Sequence, residues 1–368
     1  LGRFVDSLAQ VCESVLCFLH TPRLDEMNAM DYRITSPNVR LVEIGAHTSI
    51  LERSFFTRRY TAFVRTHASD IDALLVRGPS PLLPAMVSAS PVPTVLLLVG
   101  DYLAGVDDLS QPRWRKEAIR FWSCWNKWGQ DRAVQRSLTF VNSRVLYQEL
   151  QDKTSKLHEI RTTTLTREDF FVREDTCQEH PYHLLYAGRM DRGKGLLQMV
   201  QAVALLRERG EDVILDLVGW SERGDPILDE IQGLAFEKNI PGSVCYAGPR
   251  PLGPELFVFY RNADIFLIAS LASEGFPRAI WEAMAHCLPV VATRVGSIPL
   301  LVEGAACLVQ PGSAEAIADG VHQLIHRPAL RQEYIKQGFE RVQGITLENQ
   351  TGELVQKIES WLGKIRHV

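Results

Sequence analysis

From residue 183 to about 327 the chain alternates short apolar runs with amphipathic stretches. "HLLYAG" precedes "GLLQMVQAVALLRERG", and "DVILDLVGW" precedes "PILDEIQGLAFEKN". "SVCYAG" precedes "GPELFVFYRN", and "ADIFLIAS" precedes "PRAIWEAMAHC". "PVVATRVG", "AACLVQPG" and "SAEAIADGVHQLIHR" complete the series. The apolar runs are nearly continuous instead of alternating with polar residues. A strand reads this way only when both its faces are covered, as in a parallel sheet flanked by helices. The pattern therefore predicts a doubly wound α/β domain, with Gly210 closing its first helix as a C-terminal cap.

At 368 residues the chain exceeds what one core usually serves, so two domains are expected. The first half offers strands at "RLVEIGA", "DALLVRG", "TVLLLVGD" and "LTFVNS", which read as a second Rossmann-like α/β domain. The first residues, "LGRFVDSLAQVCESVLCFL", carry Phe4, Val5, Leu8, Val11, Val15 and Leu16 at helical spacing and predict one long helix. An α/β domain places a strand ahead of such a helix, so its first strand is expected before residue 1. No basic leader or small-residue cleavage site is present. Residues 160–182 show neither period and read as an interdomain linker. "LENQTGELVQKIESWLGKIRHV" predicts an amphipathic helix with Leu354, Ile358, Trp361, Leu362 and Ile365 on one stripe. The expected division is residues 1–165 with helix 347–368 packed back on them, and residues 166–346.

A net charge of −4 argues against nucleic acid as the main partner. No stretch approaches the ~20 apolar residues that span a bilayer. The seven cysteines form no C-x-x-C pair, which fits buried thiols in a reducing compartment. The ten histidines suggest no metal spacing, so no metal site is expected.

"YAGRMDRGKGLLQ" contains Gly188, Gly193 and Lys194 in the order G-x-x-x-x-G-K. A P-loop continues with Ser or Thr, whose hydroxyl ligates magnesium, but here Gly195 follows. Asp216 lies within an apolar run and not at its tip, so it makes a poor second magnesium ligand. What remains is a strand, Arg189 and Lys194 beyond its end, and a helix start. Such an arrangement can clamp a diphosphate without metal; an ordinary solvated turn is the competing reading. Further on, "EGFPRAIWEAMA" places Glu274 and Glu282 with seven residues between them. Gly275 permits a tight turn, amides near Gly275 and Phe276 are left free, and Pro277 suits a helix start. A carboxylate can take two hydrogen bonds from a vicinal diol, which a ribose or a hexose carries. Taken alone, Glu282 reads more simply as a solvated helix residue.

In order and spacing, "GRMDRGKG", "EGFPRAIWEAMA" and "PVVATRVGSIP" together resemble the retaining GT-B nucleotide-sugar glycosyltransferases of family four, which include glycogen and sucrose synthase-like enzymes. The resemblance runs from about residue 183 to 325, with a weaker echo in "LGRFVDSLAQ". It implies two Rossmann-like domains facing across a cleft. It assigns Arg189 and Lys194 to the donor diphosphate and Glu282 to the nucleotide ribose. Glu274, with the backbone of Gly275, Phe276 and Pro277, goes to the donor sugar, and Gly2 and Gly188 lie near the donor. The expected activity is metal-independent transfer of a hexose, with retention, from a nucleotide-diphosphate sugar to a glycan or lipid-linked acceptor, without a further cofactor. The sequence departs from the family where many members have a His after an apolar strand of the first domain; here Gly100 and Asp101 stand there, making Asp101 a candidate acceptor or sugar contact. It departs again at Gly296–Leu300, where many members have Gly-Gly-x-Pro-Glu. A non-catalytic nucleotide-sugar-binding relative and a sugar-nucleotide epimerase are the alternatives, with a P-loop phosphotransferase behind them.

"WRKEAIRFWSCWNKW" sets Trp114, Trp122, Trp125 and Trp128 among Lys116, Arg120 and Lys127. A stripe of this kind is usually core with a solvated basic edge; the less common reading is a helix lying on an anionic membrane. The expected location is the cytoplasm, with the inner face of the membrane as a candidate surface.

Overall fold

The computed structural model describes residues 1–21, 32–46, 48, 52–53, 56–100, 102, 113–222, 224–271 and 277–366. It divides into two units, Leu1–Thr162 with Glu348–Val368, and Thr163–Leu347.

In the first unit β1 (Val15–Thr21) and β2 (Val39–Ala46) form a parallel pair. A second parallel sheet runs β3 (Leu74–Gly78), β4 (Thr94–Leu98), β5 (Leu138–Val141) and β6 (Leu157–Glu159) in that spatial order. Every residue of β4 and β5 is buried, as parallel strands covered on both faces require. The helix Leu347–Arg366 supplies Leu354 to a core that also holds Leu8, Val95, Leu97, Leu138, Phe140 and Ile160.

The N-terminal segment corrects the expectation of one long helix. The helix covers only Gly2–Ala9, and Val15–Thr21 is a strand. The Asn38 side-chain amide donates to the carbonyls of Ala9, Cys12 and Glu13, closing the helix and turning the chain into β1. Val15 and Leu16 do lie at helical spacing from Leu8 and Val11. However, "VLCFL" is a short apolar run, and periodicity alone cannot assign such a run to helix or strand. Pairing with β2, which is distant in sequence, decides it.

The second unit holds a six-stranded parallel sheet among the described residues. Its strands are β7 (Tyr182–Ala187), β8 (Val213–Val218), β9 (Val244–Gly248), β10 (Ile265–Ile268), β11 (Val290–Thr293) and β12 (Cys307–Val309). The spatial order is β12-β11-β10-β7-β8-β9. Leu184, Leu215, Leu217, Ile265 and Leu267 enter one core. Their neighbours Leu185, Val218, Phe266 and Ile268 enter another. Alternate residues of each strand thus feed opposite faces, which is why the runs read as continuously apolar. The chain moves outward from β7 through β8 to β9, then returns to the other side of β7 with β10. The order reverses between β7 and β10, and ligands of open α/β sheets bind beyond the carboxyl ends of the strands at such a reversal.

Residues 163–181 are not the free linker that their lack of periodicity predicts. They belong to the second unit and are held by side-chain to backbone bonds, which leave no apolar period. The Arg173 guanidinium donates to the carbonyls of Tyr260, Arg261, Ala263 and His286 at 3.1, 2.9, 2.9 and 3.2 Å. It thereby satisfies the carboxyl ends of two helices. Asp175 accepts two hydrogen bonds from Arg331, at 2.6 and 2.8 Å. Burial works against charge on Asp175, but the Arg331 guanidinium and the Thr176 amide outweigh it and lower the carboxyl's pKa.

Candidate functional site

Beyond the carboxyl end of β7 the backbone is packed too tightly for side chains. Gly195 sits at φ +68, and a Cβ there would come 2.0 Å from the Ala269 carbonyl oxygen at the end of β10. A Cβ on Gly219, at φ +145, would meet the carbonyl oxygen of Gly188 at 1.8 Å. The ends of β7, β8 and β10 are thereby drawn together around one turn. The Leu271 amide donates to the Gly193 carbonyl at 2.8 Å, fixing the exit of β10 to that turn.

Arg189 and Lys194 stand on this turn. Lys194 is half-buried and closes a short 3-10 turn, Arg192–Lys194, just before the helix Leu196–Glu208. Arg189 is exposed; its Nε donates to Asp191 at 2.7 Å, and its Nη1 lies 3.6 Å from Glu222. Exposed pairs of this kind are worth little, so an incoming anion can exchange with them at small cost. The Tyr186 hydroxyl donates to the Arg189 carbonyl at 2.8 Å and holds the backbone beneath the guanidinium.

Glu282 follows β10, the strand beside β7, on the helix Arg278–Ala285, for which Pro277 is the N-cap. It is not the solvated helix residue of the simpler reading, because only 7% of it is exposed. Oε1 accepts from the Thr164 hydroxyl at 3.1 Å, and Oε2 from the Tyr260 hydroxyl at 2.8 Å. A carboxylate offers about four acceptor positions. One donor on each oxygen fixes the plane of the group and leaves one position per oxygen, the pattern that a vicinal diol fills. Burial, joined by the charge of Glu282, pushes the Tyr260 hydroxyl well above its usual pKa, so it remains a donor.

Beneath Tyr260 lies His286, fully buried, with its ring stacked 5.3 Å from that of Tyr260 and its Nδ1 donating to the Glu282 carbonyl at 2.7 Å. Burial is the main cause that lowers its pKa from 6.5 to about 4. Between those values the unfolded chain takes up a proton that the folded one refuses, so stability falls as pH drops through this window. The full loss is about 3 kcal/mol. Denaturant unfolding at pH 7 and pH 4.5 should show this slope in the wild type. His286→Phe, which keeps the stacked ring without a titrating group, should lack it; equal slopes would remove His286 as the cause.

Arg189, Lys194, Gly188, Pro277 and Glu282 are thus all placed in the second unit, around the reversal between β7 and β10. Glu274, Gly275, Phe276 and Asp101 lie outside the described residues. Gly2 belongs to the first unit, in the first turn of its opening helix, where a Cβ would fall 2.1 Å from the Tyr32 ring. That ring is held by a 2.7 Å hydrogen bond from its hydroxyl to Asp6, which also accepts from the Thr35 and Ser36 amides. Packing against Tyr32 therefore requires a glycine at position 2 whatever else the residue does. Sequence reasoning missed Thr164 and Tyr260. Tyr260 carried one signal, a phenolic hydroxyl inside the otherwise apolar "ELFVFY". Thr164, in a run of threonines, carried none.

Residues 168–341 match the family described as Glycosyl transferases group 1. The chain is 34% identical over 197 residues to a D-inositol 3-phosphate glycosyltransferase of Arthrobacter sp. (strain FB24), covering 49% of this chain and 44% of that one. It is 29% identical over 183 residues to the capsular polysaccharide biosynthesis glycosyltransferase CapM of Staphylococcus aureus, covering 47% and 46%. The matched part thus spans less than half the length of these relatives. Among solved structures, a sucrose-phosphate synthase from Thermosynechococcus elongatus superposes with a TM-score of 0.72 at 20% identity, over 97% of this chain and 92% of the other. Anabaena HepE in complex with UDP and glucose gives 0.73 at 17% identity, over 97% and 95%. The fold is that of the GT-B glycosyltransferases. Within it, the part that matches the Glycosyl transferases group 1 family is residues 168–341, just under half of the chain.

Proposed function

We propose that the chain is a glycosyltransferase that moves a hexose from a nucleotide-diphosphate sugar to a glycan or lipid-linked acceptor, with retention of configuration and without a metal. The observation that carries this reading is Glu282: a buried carboxylate, held in plane by Thr164 and Tyr260, with one acceptor position left on each oxygen. A ribose diol fits that valence. Arg189 and Lys194, beyond the end of the adjacent strand, would then meet the diphosphate. As the bond to the sugar stretches, negative charge grows on the departing nucleotide, and two preorganised cations stabilise it more than they stabilise the bound donor. Gly195 stands where a P-loop has its magnesium-binding hydroxyl, so the leaving-group charge falls to these two side chains. Glu274, with the Gly275–Pro277 backbone, is assigned to the donor sugar, and Asp101 to the acceptor or the sugar.

The names of the matched proteins suggest what to try first, since HepE was solved with UDP and glucose and a relative is named for D-inositol 3-phosphate. A thermal-shift screen of nucleotide sugars should find one that raises the melting temperature. That donor should be turned over in EDTA, and the product's anomeric configuration, read by NMR, should match the donor's. Inverted configuration, or loss of turnover in EDTA restored by magnesium, would overturn the corresponding part. Donor binding without any nucleotide release would favour the non-catalytic relative.

Glu282→Ala should weaken donor binding far more than it slows the bound donor's reaction. The ribose is remote from the broken bond, so its hydrogen bonds are similar in ground and transition states. Tyr260→Phe should act in the same direction and more weakly. Normal nucleotide binding by folded Glu282→Ala would remove it from the ribose.

The acceptor side is assigned to the first unit, whose helix Arg113–Arg136 is built the opposite way from a core helix. Its buried positions include Ser123, Asn126 and Gln130, whereas Trp114, Phe121, Trp125 and Trp128 are 70, 74, 65 and 51% exposed. The common reading of the stripe as core is therefore corrected for Trp114, Trp125 and Trp128, while Trp122 is half-buried against Tyr102. The Arg132 guanidinium lies 3.8 Å over the Trp128 ring. The helix carries seven Lys and Arg against two Asp and Glu, in a chain of net charge −4. Exposed tryptophans among cations suit the interface of an anionic membrane. Among the described residues, no helix is long and apolar enough to cross one. The protein should sediment with phosphatidylglycerol vesicles and not with phosphatidylcholine ones, and Trp125→Ala with Trp128→Ala should release it. Equal sedimentation with both lipids would remove this surface from the proposal.

A further inference from the structure

At the opposite end of β8 from the donor-side turn, a second cluster has no part in the reading above. Glu211 lies just before β8, after Gly210 has turned the chain at φ +89. His322 and His326 stand four residues apart on the helix Ala314–His326, so both project from one face of it. The expectation that the histidines have no metal spacing does not take in this pair, because the third group, Glu211, is more than a hundred residues away in the chain.

The three side chains converge on one point. His322 Nδ1 lies 2.8 Å and His326 Nε2 lies 2.6 Å from the same oxygen, Oε1 of Glu211. All three candidate ligand atoms are within 4.8 Å of one another. The carboxylate is 9% exposed, whereas the imidazoles are 43 and 54% exposed, so the cluster has an anionic floor and an open mouth. Nearby side chains of opposite sign are already paired: Arg209 with Asp319 at 2.7 Å, and Arg207 with Asp212.

The geometry points to a divalent transition-metal site, of the zinc type, formed by Glu211, His322 and His326. Two imidazole nitrogens and one carboxylate oxygen suit zinc, cobalt or nickel; magnesium and calcium prefer all-oxygen sets. At metal–ligand distances of about 2.0–2.2 Å, ligand atoms of a tetrahedral site stand roughly 3.3 Å apart. From 2.8 and 2.6 Å the two nitrogens retreat from Oε1 by a fraction of an ångström, and within their 4.8 Å limit they close on each other by side-chain rotation, which their exposure allows. The metal takes the place of the ring protons that now point at Oε1, and the remaining coordination position opens to water. β8 is six residues long, so the ion lies roughly 20 Å from the turn that carries Arg189 and Lys194. It is therefore separate from the transfer chemistry and does not conflict with metal-independent turnover. Its effect is to cross-link the last turn of one helix to the start of a central strand, stabilising the folded state in proportion to occupancy.

Cobalt is the probe. The chelator-treated full chain, titrated with Co2+ at pH 7.5, should develop saturable visible d–d absorption at one equivalent. Zinc should abolish this absorption and raise the melting temperature. His322→Ala, His326→Ala and Glu211→Gln should each weaken cobalt binding by at least about tenfold. Circular dichroism and nucleotide binding should show them folded. The two histidines are exposed, so their variants decide the matter even if Glu211→Gln unfolds. The proposal is overturned if the cobalt spectrum stays that of the aqueous ion up to millimolar metal. A near-ultraviolet thiolate-to-cobalt band, which would place the ion on cysteines, overturns it, as does cobalt binding unchanged by the histidine substitutions.

Discussion

Lys194→Ala and Arg189→Ala are each expected to lower turnover of the donor by roughly 10²–10³, or about 2.7–4 kcal/mol, while the protein stays folded. The expectation rests on where these cations act. Both stand on the turn beyond β7, beside the reversal in strand order and next to the strand that leads to Glu282. The diphosphate is already charged in the bound donor, so part of each interaction serves binding alone. The part that grows as the sugar departs lowers the barrier. The loss should therefore appear in kcat as well as in kcat/KM. Arg189 already pairs with Asp191 and lies near Glu222, so these carboxylates must yield as the diphosphate arrives. Steady-state kinetics on both variants, with nucleotide binding measured separately, checks this. An unchanged rate in either folded variant would remove that residue from the site.

The largest effect on stability is expected at Arg331. Only 2% of this arginine is exposed. It donates twice to Asp175 and twice more, through Nη1, to the Leu324 and Ile325 carbonyls at 2.8 and 2.9 Å. Arg331→Ala leaves a half-buried carboxylate and two helix-end carbonyls without these donors, and should cost about 3–5 kcal/mol. Arg331→Lys keeps the charge but cannot supply the planar fork, so it should recover only part of that loss. Denaturant unfolding of the three proteins checks the order; equal midpoints for wild type and Arg331→Ala would refute it. Because Asp175 lies in a segment without periodicity, the same measurement tests whether residues 163–181 are an integral part of the second unit.

The legibility of this chain differs between elements for physical reasons. The strands of the second unit were visible because each must be apolar on both faces, and that requirement is written into consecutive residues such as "IFLI" and "VVAT". The cations beyond β7 were visible for a similar reason: Arg189, Lys194 and the glycines around them fall within eight residues. The segment Val15–Thr21 was not legible as a strand, since its partner is β2 and its local spacing also suits a helix. Nor could residues 163–181 be read, because Arg173 and Asp175 bind backbone and side chains some ninety to one hundred and fifty residues away.

The aromatic helix shows the same division most sharply. Its sequence determined that tryptophans and cations share one helix, but either face could have been the buried one. Only the packing of Ser123, Asn126 and Gln130 inward decided that Trp114, Trp125 and Trp128 face out. Glu282 is the parallel case at the site. The sequence by itself determined the fold class, the strand ends and the chemical types available there, because backbone pairing and burial act on neighbouring residues. The tertiary structure alone decided that Thr164 and Tyr260 orient the carboxylate, and that Glu211 meets two histidines. A hydrogen bond or a shared ligand depends on distances of about 3 Å, and the residues that meet at such distances here are separated in the chain by 22 to 118 positions.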